Sequence, residues 1–342
     1  MAMRDNRGRD IYRSVARNRL RLAGIIAIFS LLVMSFSAGG CFLVYEYAGL
    51  RYSFWMVLLL FWLFYLLYAV LRYAFSGLWV FRSIGVLPES ENDPRLEDAL
   101  AAARLGAGLG AKIRLFEIPN DDINSFSIAF PDGSHGIFAT RGMAEKLPAR
   151  EREAIMAHEL AHVMAGDSLL YTVMIRLVGP GSMRRIMSGW RAGSARYSFS
   201  EVGPPPLFLV IFVILLSDAL RKANNTQTTQ ALPLAVVLLL FLTLASLLPL
   251  LMHLLLRLFF DREREYAADM QAAFITRDPE AVYLALKDAA EDVRDLLLLP
   301  SRLDALLFHP VVDYASYRPF RTQPTMAERM QRLQRSFPGL AA

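Results

Sequence analysis

The sequence predicts a mainly α-helical membrane protein with four spans and a cytoplasmic domain that contains a small β-sheet. Three observations predict this class: a high apolar content, four long apolar stretches, and polar segments with mixed helix and strand patterns. The chain has 342 residues, of which 55 % are hydrophobic and 20 % charged, and its mean hydropathy is +0.33. This composition is too apolar for a purely soluble protein, and it excludes a disordered chain, a collagen and a disulfide-rich scaffold. The single cysteine, Cys41, cannot form an internal disulfide.

The four apolar stretches are 22–45, 52–71, 202–217 and 231–256. A helix needs about 20 apolar residues to cross a hydrocarbon layer of about 30 Å, and three of the stretches are that long. The stretch 202–217 is the weakest, because it is short and opens with three prolines near its start. If its helix extends to Leu220 it just spans, and we predict four spans on that basis.

Arginine is concentrated ahead of the first apolar stretch. Seven arginines precede it, whereas Arg51 alone lies between the first two stretches. The seven are Arg4, Arg7, Arg9, Arg13, Arg17, Arg19 and Arg21. Because cytoplasmic flanks of spans are rich in Lys and Arg, both termini and the polar segments are predicted to lie in the cytoplasm of a bacterial-type inner membrane. Beside an apolar segment such a cluster indicates topology, so the predicted partner is the lipid bilayer and not nucleic acid.

The predicted organisation has five parts. Residues 1–87 hold the cytoplasmic N-terminus and the first two spans, and 88–177 form the first part of the soluble domain. Residues 178–201, which contain several arginines, glycines and serines, are predicted to be a mobile loop. Residues 202–258 hold the last two spans, and 259–342 form the second part of the soluble domain with the C-terminal helices.

The first part of the soluble domain is predicted to combine helices with a short sheet. A helical pattern covers 94–105, and a long helical pattern starts near Pro148. Between them lie three strand-like runs, with a Pro-Asp-Gly turn between the last two. These runs are 112–118, 125–130 and 136–140.

Residues 158–162 read His-Glu-Leu-Ala-His within this long helical pattern. Residues four apart project from the same face of a helix, so His158 and His162 can offer imidazole nitrogens to one metal ion. Glu159 lies beside that face and can act as the general base on an attacking water. The plainer interpretation is two surface histidines with a chance glutamate.

The residues alone leave the third metal ligand open. The other histidines, His135, His253 and His309, fall in a turn, in a predicted span and before a proline. A more attractive source is the acidic segment after the fourth span, where Glu265 and Asp269 are four residues apart. One of these two can bind the metal while the other accepts a hydrogen bond from a ligating imidazole.

The pattern resembles the HtpX-like membrane zinc metallopeptidases, which are relatives of the CAAX prenyl endopeptidases. The resemblance rests on the HExxH helix, the two spans before it, and the two spans between it and the Glu-Tyr-Ala-Ala-Asp segment at 265–269. It implies a zincin-like (gluzincin) domain with one Zn2+ per chain, bound by His158, His162 and Glu265. It further implies that Asp269 supports a ligating histidine.

Two further segments resemble the same family. Residues 124–127, Asn-Ser-Phe-Ser, are similar to the Asn-Ala-Phe-Ala strand along which substrate is expected to lie, which implies that Asn124 and Phe126 bind substrate. Asp167, five residues after the second histidine, fits the family's extended helix motif. One position departs from the family, because Gln323 stands where a histidine is common before a Glu-Arg pair.

The resemblance implies a membrane-integrated endopeptidase that hydrolyses misfolded, damaged or membrane proteins in protein quality control. A CAAX-type processing protease is one alternative, although it would suit a chain with more spans. An intramembrane protease is disfavoured by the charges at 150–153 in the HExxH helix. A non-enzymatic membrane scaffold or transporter with structural zinc is the last alternative, but such a site normally has four protein ligands and no fourth is evident.

Overall fold

The computed structural model describes residues 2–48, 54–89, 91–178, 261–292, 306–310 and 323–340. Apart from Val178, the predicted loop at 178–201 lies outside these residues, as do the predicted spans at 202–217 and 231–256.

The described ranges form ten α-helices, three β-strands and a short 3-10 helix at Pro338–Leu340. The helices are α1 (Ala2–Ala48), α2 (Phe54–Ala74), α3 (Ser76–Ile84), α4 (Pro94–Ala107), α5 (Arg141–Lys146), α6 (Ala149–Ala165), α7 (Asp167–Val178), α8 (Glu263–Thr276), α9 (Pro279–Glu291) and α10 (Met326–Ser336). The strands are β1 (Ile113–Ile118), β2 (Ser125–Ala129) and β3 (His135–Thr140). The prediction of a mainly helical chain with a small sheet is confirmed.

Helices α1 and α2 contain the first predicted span, 22–45, and most of the second, 52–71. Within the described part of the chain, no helix combines the length and the apolar character needed to cross a membrane. The spans stay a prediction.

The chain divides into two compact units. The first comprises Met1–Ala23, Arg72–Arg176 and Phe259–Ala342, and the second comprises Gly24–Leu71 and Leu177–Leu258. Every predicted site residue belongs to the first unit.

The sheet has the strand order β1-β3-β2. β2 and β3 are antiparallel, as the predicted hairpin requires, and β1 pairs with β3 in parallel. Phe126 and Phe138 are register partners whose rings stack with centroids 4.8 Å apart. β2 is an edge strand of this sheet, because it pairs with β3 on one side only.

Helix α6 lies in the core of the first unit, where it packs against α4, α8, α9 and β2. α6 and α8 both bury small side chains, such as Ala157 and Ala161 on α6 and Ala268 and Ala272 on α8. Small residues let helix axes approach closely, which brings the HExxH segment beside the first turns of α8.

Candidate metal centre

The two histidines occupy the C-terminal half of α6. His158 and His162 are 1 % and 6 % exposed, and Glu159 between them is fully buried. The helix ends at Gly166, whose φ of 77° lies in the left-handed region that glycine adopts without strain. Its N–H donates to the carbonyl of His162, and α7 then begins at once with Asp167. This sharp stop is what places Asp167 beside the second histidine.

Three predicted ligands converge between α6 and α8. The Nε2 atoms of His158 and His162 lie 3.1 Å apart, and Glu265 Oε2 lies 3.5 and 3.7 Å from them. One donor atom from each residue lies within 4.8 Å of the others, and this is the one such group found in the described ranges. The structure therefore brings the three predicted ligands together.

The donor set fits a metal ion. Glu265 is 1 % exposed, and its Oε2 is a buried oxygen without a hydrogen-bond partner. The Nη1 atom of Arg329 is 3.7 Å from this oxygen, beyond hydrogen-bond distance. Buried carboxylate oxygens normally have a partner, so an unpaired one that faces two imidazole nitrogens indicates a place for a cation.

The charges at the site also favour a cation. Burial alone would raise the pKa of Glu265, but Arg264 and His162 outweigh it and hold that pKa well below its ordinary value. Burial alone would lower the pKa of His162, but Glu265 and a hydrogen bond to Asp167 raise it to about 10. The negative charges of Glu265 and Asp167, which favour a proton on His162, would also stabilise a metal ion there. Metal binding would release that proton.

His158 is held by a buried ion pair. Its Nδ1 lies 2.9 Å from Asp269 Oδ1, and Arg329 donates to both oxygens of that carboxylate, over 2.5 and 2.8 Å. Arg329 is 1 % exposed and also donates to the carbonyl of Phe308 over 2.7 Å. Burial would raise the pKa of Asp269, but the arginine and the histidine lower it. An ionised Asp269 keeps the proton on Nδ1 and leaves Nε2 for a metal.

His162 is held by a different chain of contacts. Its Nδ1 lies 2.9 Å from Asp167 Oδ2, and Asn18 Nδ2 donates to the other oxygen, Oδ1, over 2.6 Å. Burial would raise the pKa of Asp167, but the hydrogen bond with His162, the charge of Arg264 and the Asn18 amide keep it below its ordinary value.

Arg264 lies beside the third ligand. It is 8 % exposed, its Nη2 lies 3.0 Å from Glu265 Oε1, and its guanidinium lies 3.7 Å from the centre of the Tyr171 ring. The guanidinium of Arg264 pairs with Oε1 of Glu265, so Oε2 is the oxygen that faces the two histidines.

Glu159, the predicted base, has one bonded and one unbonded oxygen. Ser125 Oγ donates to Glu159 Oε1 over 2.6 Å, whereas Oε2 is buried without a partner. Ser125 lies at the start of β2, so the sheet edge orients the carboxylate of this residue. A carboxylate with one oxygen held and one available is suited to proton transfer.

The start of β2, where substrate is predicted to lie, is covered by residues 306–310. The Asn124 side chain donates to the carbonyl of His309 over 2.8 Å and accepts from its N–H over 3.1 Å. Phe308 N–H donates to the carbonyl of Ser125 over 2.8 Å. Phe126 is fully buried and faces β3 as the register partner of Phe138. Main-chain groups alternate in direction along a strand, so Ser125 and not Phe126 presents them to this edge.

The alternative histidine ligands do not join the group. His309 is held through its main chain by Asn124, and burial together with Arg329 lowers its pKa to about 4. Burial also lowers the pKa of His135, which lies at the first position of β3. His253 lies outside the described residues. Gln323, at the position where the family commonly has histidine, is buried and donates to the carbonyl of Leu307 over 3.1 Å.

Three residues of the centre were not predicted as site residues. Arg329 could have been suspected, because it directly follows the Thr325–Glu328 capping box at the start of α10. It is a charged residue on a short amphipathic helix. Ser125 could have been suspected from its place between Asn124 and Phe126. Asn18 carried no signal, because it lies in an arginine-rich stretch far from the motif.

Two histidines of one helix and a glutamate of a second helix form a ligand set of the kind that zinc peptidases use. A family model for peptidase family M48 matches residues 92–336, and the chain belongs to this family. The predicted resemblance is confirmed by curated relatives named protease HtpX homolog. One from Tropheryma whipplei (strain TW08/27) is 27 % identical over 330 residues, which cover 94 % of this chain and 97 % of the relative. One from Caldanaerobacter subterraneus subsp. tengcongensis is 24 % identical over 330 residues, which cover 95 % and 97 %.

A solved structure is also similar. The crystal structure of S. mikatae Ste24p shares 18 % sequence identity with the chain, with a TM-score of 0.39. The match covers 95 % of this chain and 66 % of that chain.

Proposed function

We propose that the chain is a membrane-integrated zinc endopeptidase that cleaves misfolded or damaged proteins, membrane proteins included, in protein quality control. The observation that carries the proposal is the convergence of His158, His162 and Glu265 on one point, with an unpaired buried oxygen of Glu265 there and an unpaired oxygen of Glu159 in the same core.

Zinc suits this donor set, because catalytic zinc binds three protein ligands, for example two histidines and a glutamate, and keeps a fourth position open. His158, His162 and Glu265 would hold one ion per chain. When bound, zinc supplies Lewis-acid activation of the scissile carbonyl and of the attacking water.

Glu159 takes a proton from the attacking water and passes it to the leaving amine. Its Oε2 is available for this transfer, while Ser125 fixes Oε1. Burial of both glutamate oxygens excludes bulk water that would otherwise compete for the same hydrogen bonds.

An extended substrate segment lies along the start of β2, at Asn124 and Ser125. Phe126 supports this edge from the buried side, where its ring stacks on Phe138. Asn124 and Ser125 already bond to residues 308–309, so a substrate that pairs with this edge exchanges those bonds for its own main-chain bonds. Main-chain pairing carries little sequence selectivity, which suits an enzyme that acts on unfolded proteins.

The bilayer is the second partner. Apolar stretches at 22–45, 52–71, 202–217 and 231–256, with arginines ahead of the first, support a multi-pass protein of a bacterial-type inner membrane whose active site faces the cytoplasm.

The test is casein cleavage by the purified full chain in detergent, stripped of metal and reloaded with zinc. We expect cleavage by the wild type and a loss of about 10²- to 10⁴-fold in Glu159→Gln, the range that general acid–base catalysis contributes. Glu159→Gln should still bind one zinc per chain, because the glutamate is not a ligand. Loss of zinc from this variant would show that its role is misassigned.

Glu265→Gln tests the third ligand. We expect its zinc affinity to fall by more than about 100-fold, since contacts that only orient a ligand are already worth about 10- to 100-fold. Glu263→Gln is the matched control, because Glu263 lies in the same turn of α8 with its side chain 70 % exposed. Unchanged zinc affinity in Glu265→Gln would contradict the assignment, and zinc binding without cleavage in the wild type would favour a structural site.

A further inference from the structure

Helix α1 contributes a buried amide to the metal centre. Asn18 is 6 % exposed, although its neighbours Arg17 and Arg19 are exposed and Leu20 is 76 % exposed. Polar side chains are rarely buried without a specific partner, so the burial of this one residue in an exposed stretch requires an explanation.

Both hydrogens of the Asn18 amide are used at the end of α6. The Nδ2 atom donates to Asp167 Oδ1 over 2.6 Å and to the main-chain carbonyl of Ala165 over 3.0 Å. The second contact satisfies a carbonyl in the last turn of α6, which has no partner inside the helix. The first contact continues to the metal centre, because the other oxygen of Asp167 lies 2.9 Å from His162 Nδ1.

We propose that Asn18 is a positioning residue that orients the metal ligand His162 through Asp167. The two oxygens of Asp167 have separate partners, Asn18 on Oδ1 and His162 on Oδ2, so the amide fixes the rotation of the carboxylate. That rotation sets the plane of the imidazole and the direction of its Nε2. The inference rests on the proposed function, because it presumes that His162 binds the metal.

The physical reason is the burial of Asp167. This residue is 7 % exposed and starts α7 directly after Gly166, so its carboxylate cannot turn to solvent without moving the helix end. Without the Asn18 donor, Oδ1 loses its hydrogen bond while still buried, and the contact that fixes the rotation of the carboxylate is gone. His162 then loses the constraint on its ring.

A competing explanation is that Asn18 merely docks α1. The same helix makes a second contact one turn later, where Arg21 Nη2 lies 2.9 Å from Asp261 Oδ2. Arg21→Gln therefore serves as the matched control, since it weakens the docking of α1 without touching Asp167 or His162.

The experiment measures zinc affinity of the full detergent-solubilised chain by chelator competition, for the wild type, Asn18→Ala, Asp167→Asn, the double variant and Arg21→Gln. We expect Asn18→Ala to weaken zinc binding by about 10-fold, the lower end of the range for residues that support a ligand. The zinc affinity of Arg21→Gln should stay within about twofold of the wild-type value, well below the roughly 10-fold effect expected for a residue that supports a ligand.

The double variant decides the mechanism. If Asn18 acts through Asp167, adding Asn18→Ala to Asp167→Asn weakens zinc binding no further, because coupled residues are not additive. Additive losses, or an equal loss in Arg21→Gln, would overturn the proposal in favour of docking. The visible spectrum of the cobalt-loaded protein gives a second readout, and we expect it to change in Asn18→Ala and not in Arg21→Gln.

The failure of this inference is distinguishable from failure of the proposed function. A wild type that binds no zinc contradicts the proposed function itself. A wild type that binds zinc with an affinity that Asn18→Ala leaves unchanged contradicts the role of Asn18 alone.

Discussion

The two histidines of α6 are supported in different ways. Behind His158 lies a buried ion pair, in which Asp269 on α8 receives two hydrogen bonds from Arg329 on α10. Behind His162 lies Asp167, whose second oxygen is bonded to the neutral amide of Asn18. Asp269 is thus paired with a charged guanidinium, whereas Asp167 is hydrogen-bonded to a neutral amide.

This difference separates structural support from metal binding. Because Arg329 cancels the charge of Asp269, that pair adds little net charge to the site while linking α8 and α10. The Asn18 amide cancels no charge, so the negative charge of Asp167 acts on His162 and helps to raise its pKa to about 10. We therefore expect changes behind His158 to affect folding as well as metal binding, and changes behind His162 to affect folding less.

The largest effect is expected for Arg329→Met. This substitution leaves the Asp269 carboxylate buried without its cation, and breaking a buried pair in this way costs about 3–5 kcal/mol. It also removes the donor to the carbonyl of Phe308. We expect a lower midpoint of thermal unfolding in metal-free protein, measured by circular dichroism.

Arg332→Met is the matched control for that change. Arg332 lies one turn further along α10, its side chain is 54 % exposed, and its ion pair with Glu263 is 3.9 Å long. Exposed pairs of this kind are worth about 0–1 kcal/mol, so the control should unfold near the wild-type midpoint. Equal midpoints for the two variants would mean that the ion pair behind His158 does not stabilise the fold.

Asp269→Asn and Asp167→Asn test the two sides directly. Both should weaken zinc binding by about 10- to 100-fold, because each supports a ligating imidazole. Asp269→Asn should also lower the unfolding midpoint of the metal-free protein, since the buried Arg329 then loses the carboxylate that accepts two of its hydrogen bonds. Asp167→Asn should lower that midpoint less, because the asparagine can still accept the hydrogen bond from Asn18 and leaves no buried arginine without its hydrogen-bonded carboxylate. The reverse order of midpoints would contradict the division between folding and metal binding.

The sequence predicted the candidate metal ligands better than the residues that bond to their supporting carboxylates. His158, Glu159 and His162 follow from helical periodicity within five positions, and Glu265 with Asp269 repeats the same spacing. Asn18 and Arg329 lie 149 and 60 positions from the carboxylates that they bond. Such contacts depend on how helices pack, and side-chain periodicity within one helix carries no information about it.

The sheet illustrates the same limit. The hairpin of β2 and β3 is local, and its turn residues predicted it to within a residue at most ends. The parallel pairing of β1 with β3 and the covering of Asn124 by residues 308–309 join distant segments. The bonds of Asn124 and Ser125 to residues 308–309 were therefore not anticipated, and substrate binding along β2 stays a prediction.

Ser125→Ala tests a third supporting contact, which holds the predicted base Glu159 and not a metal ligand. Loss of the hydrogen bond to Glu159 removes a contact to a charged group, worth about 1.5–3 kcal/mol in folded proteins. If part of that energy orients the base, kcat falls by about 10-fold, the equivalent of about 1.4 kcal/mol, while KM and zinc affinity stay unchanged.

Ser127→Ala is the control on the same strand. The Ser127 hydroxyl lies 3.0 Å from that of Ser168 and does not contact Glu159. We expect its kcat to match the wild type. A similar loss in both variants would show that the effect comes from the strand and not from the orientation of Glu159.

The smallest effect is expected at Glu151, a buried carboxylate at the other end of α6 that lies beside a second carboxylate, Asp288. Glu151 is 5 % exposed, and burial together with Asp288 raises its pKa from 4.5 to about 7. Ionisation is thus less favourable in the folded state than in the unfolded state. The penalty is absent below pH 4.5, grows as the pH rises to about 7, and stays constant above it.

Glu151→Gln removes this penalty, because the amide can donate to Asp288 as the protonated acid does. We expect the variant to unfold about 1–2 °C above the wild type at pH 8, the shift that about 1 kcal/mol produces in a chain of this length at about 2 cal/mol/K of unfolding entropy per residue. At pH 4.5 to 5 the two midpoints should approach each other. A pH-independent difference would mean that the charge of Glu151 is balanced in the folded state, and a buried carboxylate of this first unit would then not require a dedicated cation such as Arg329.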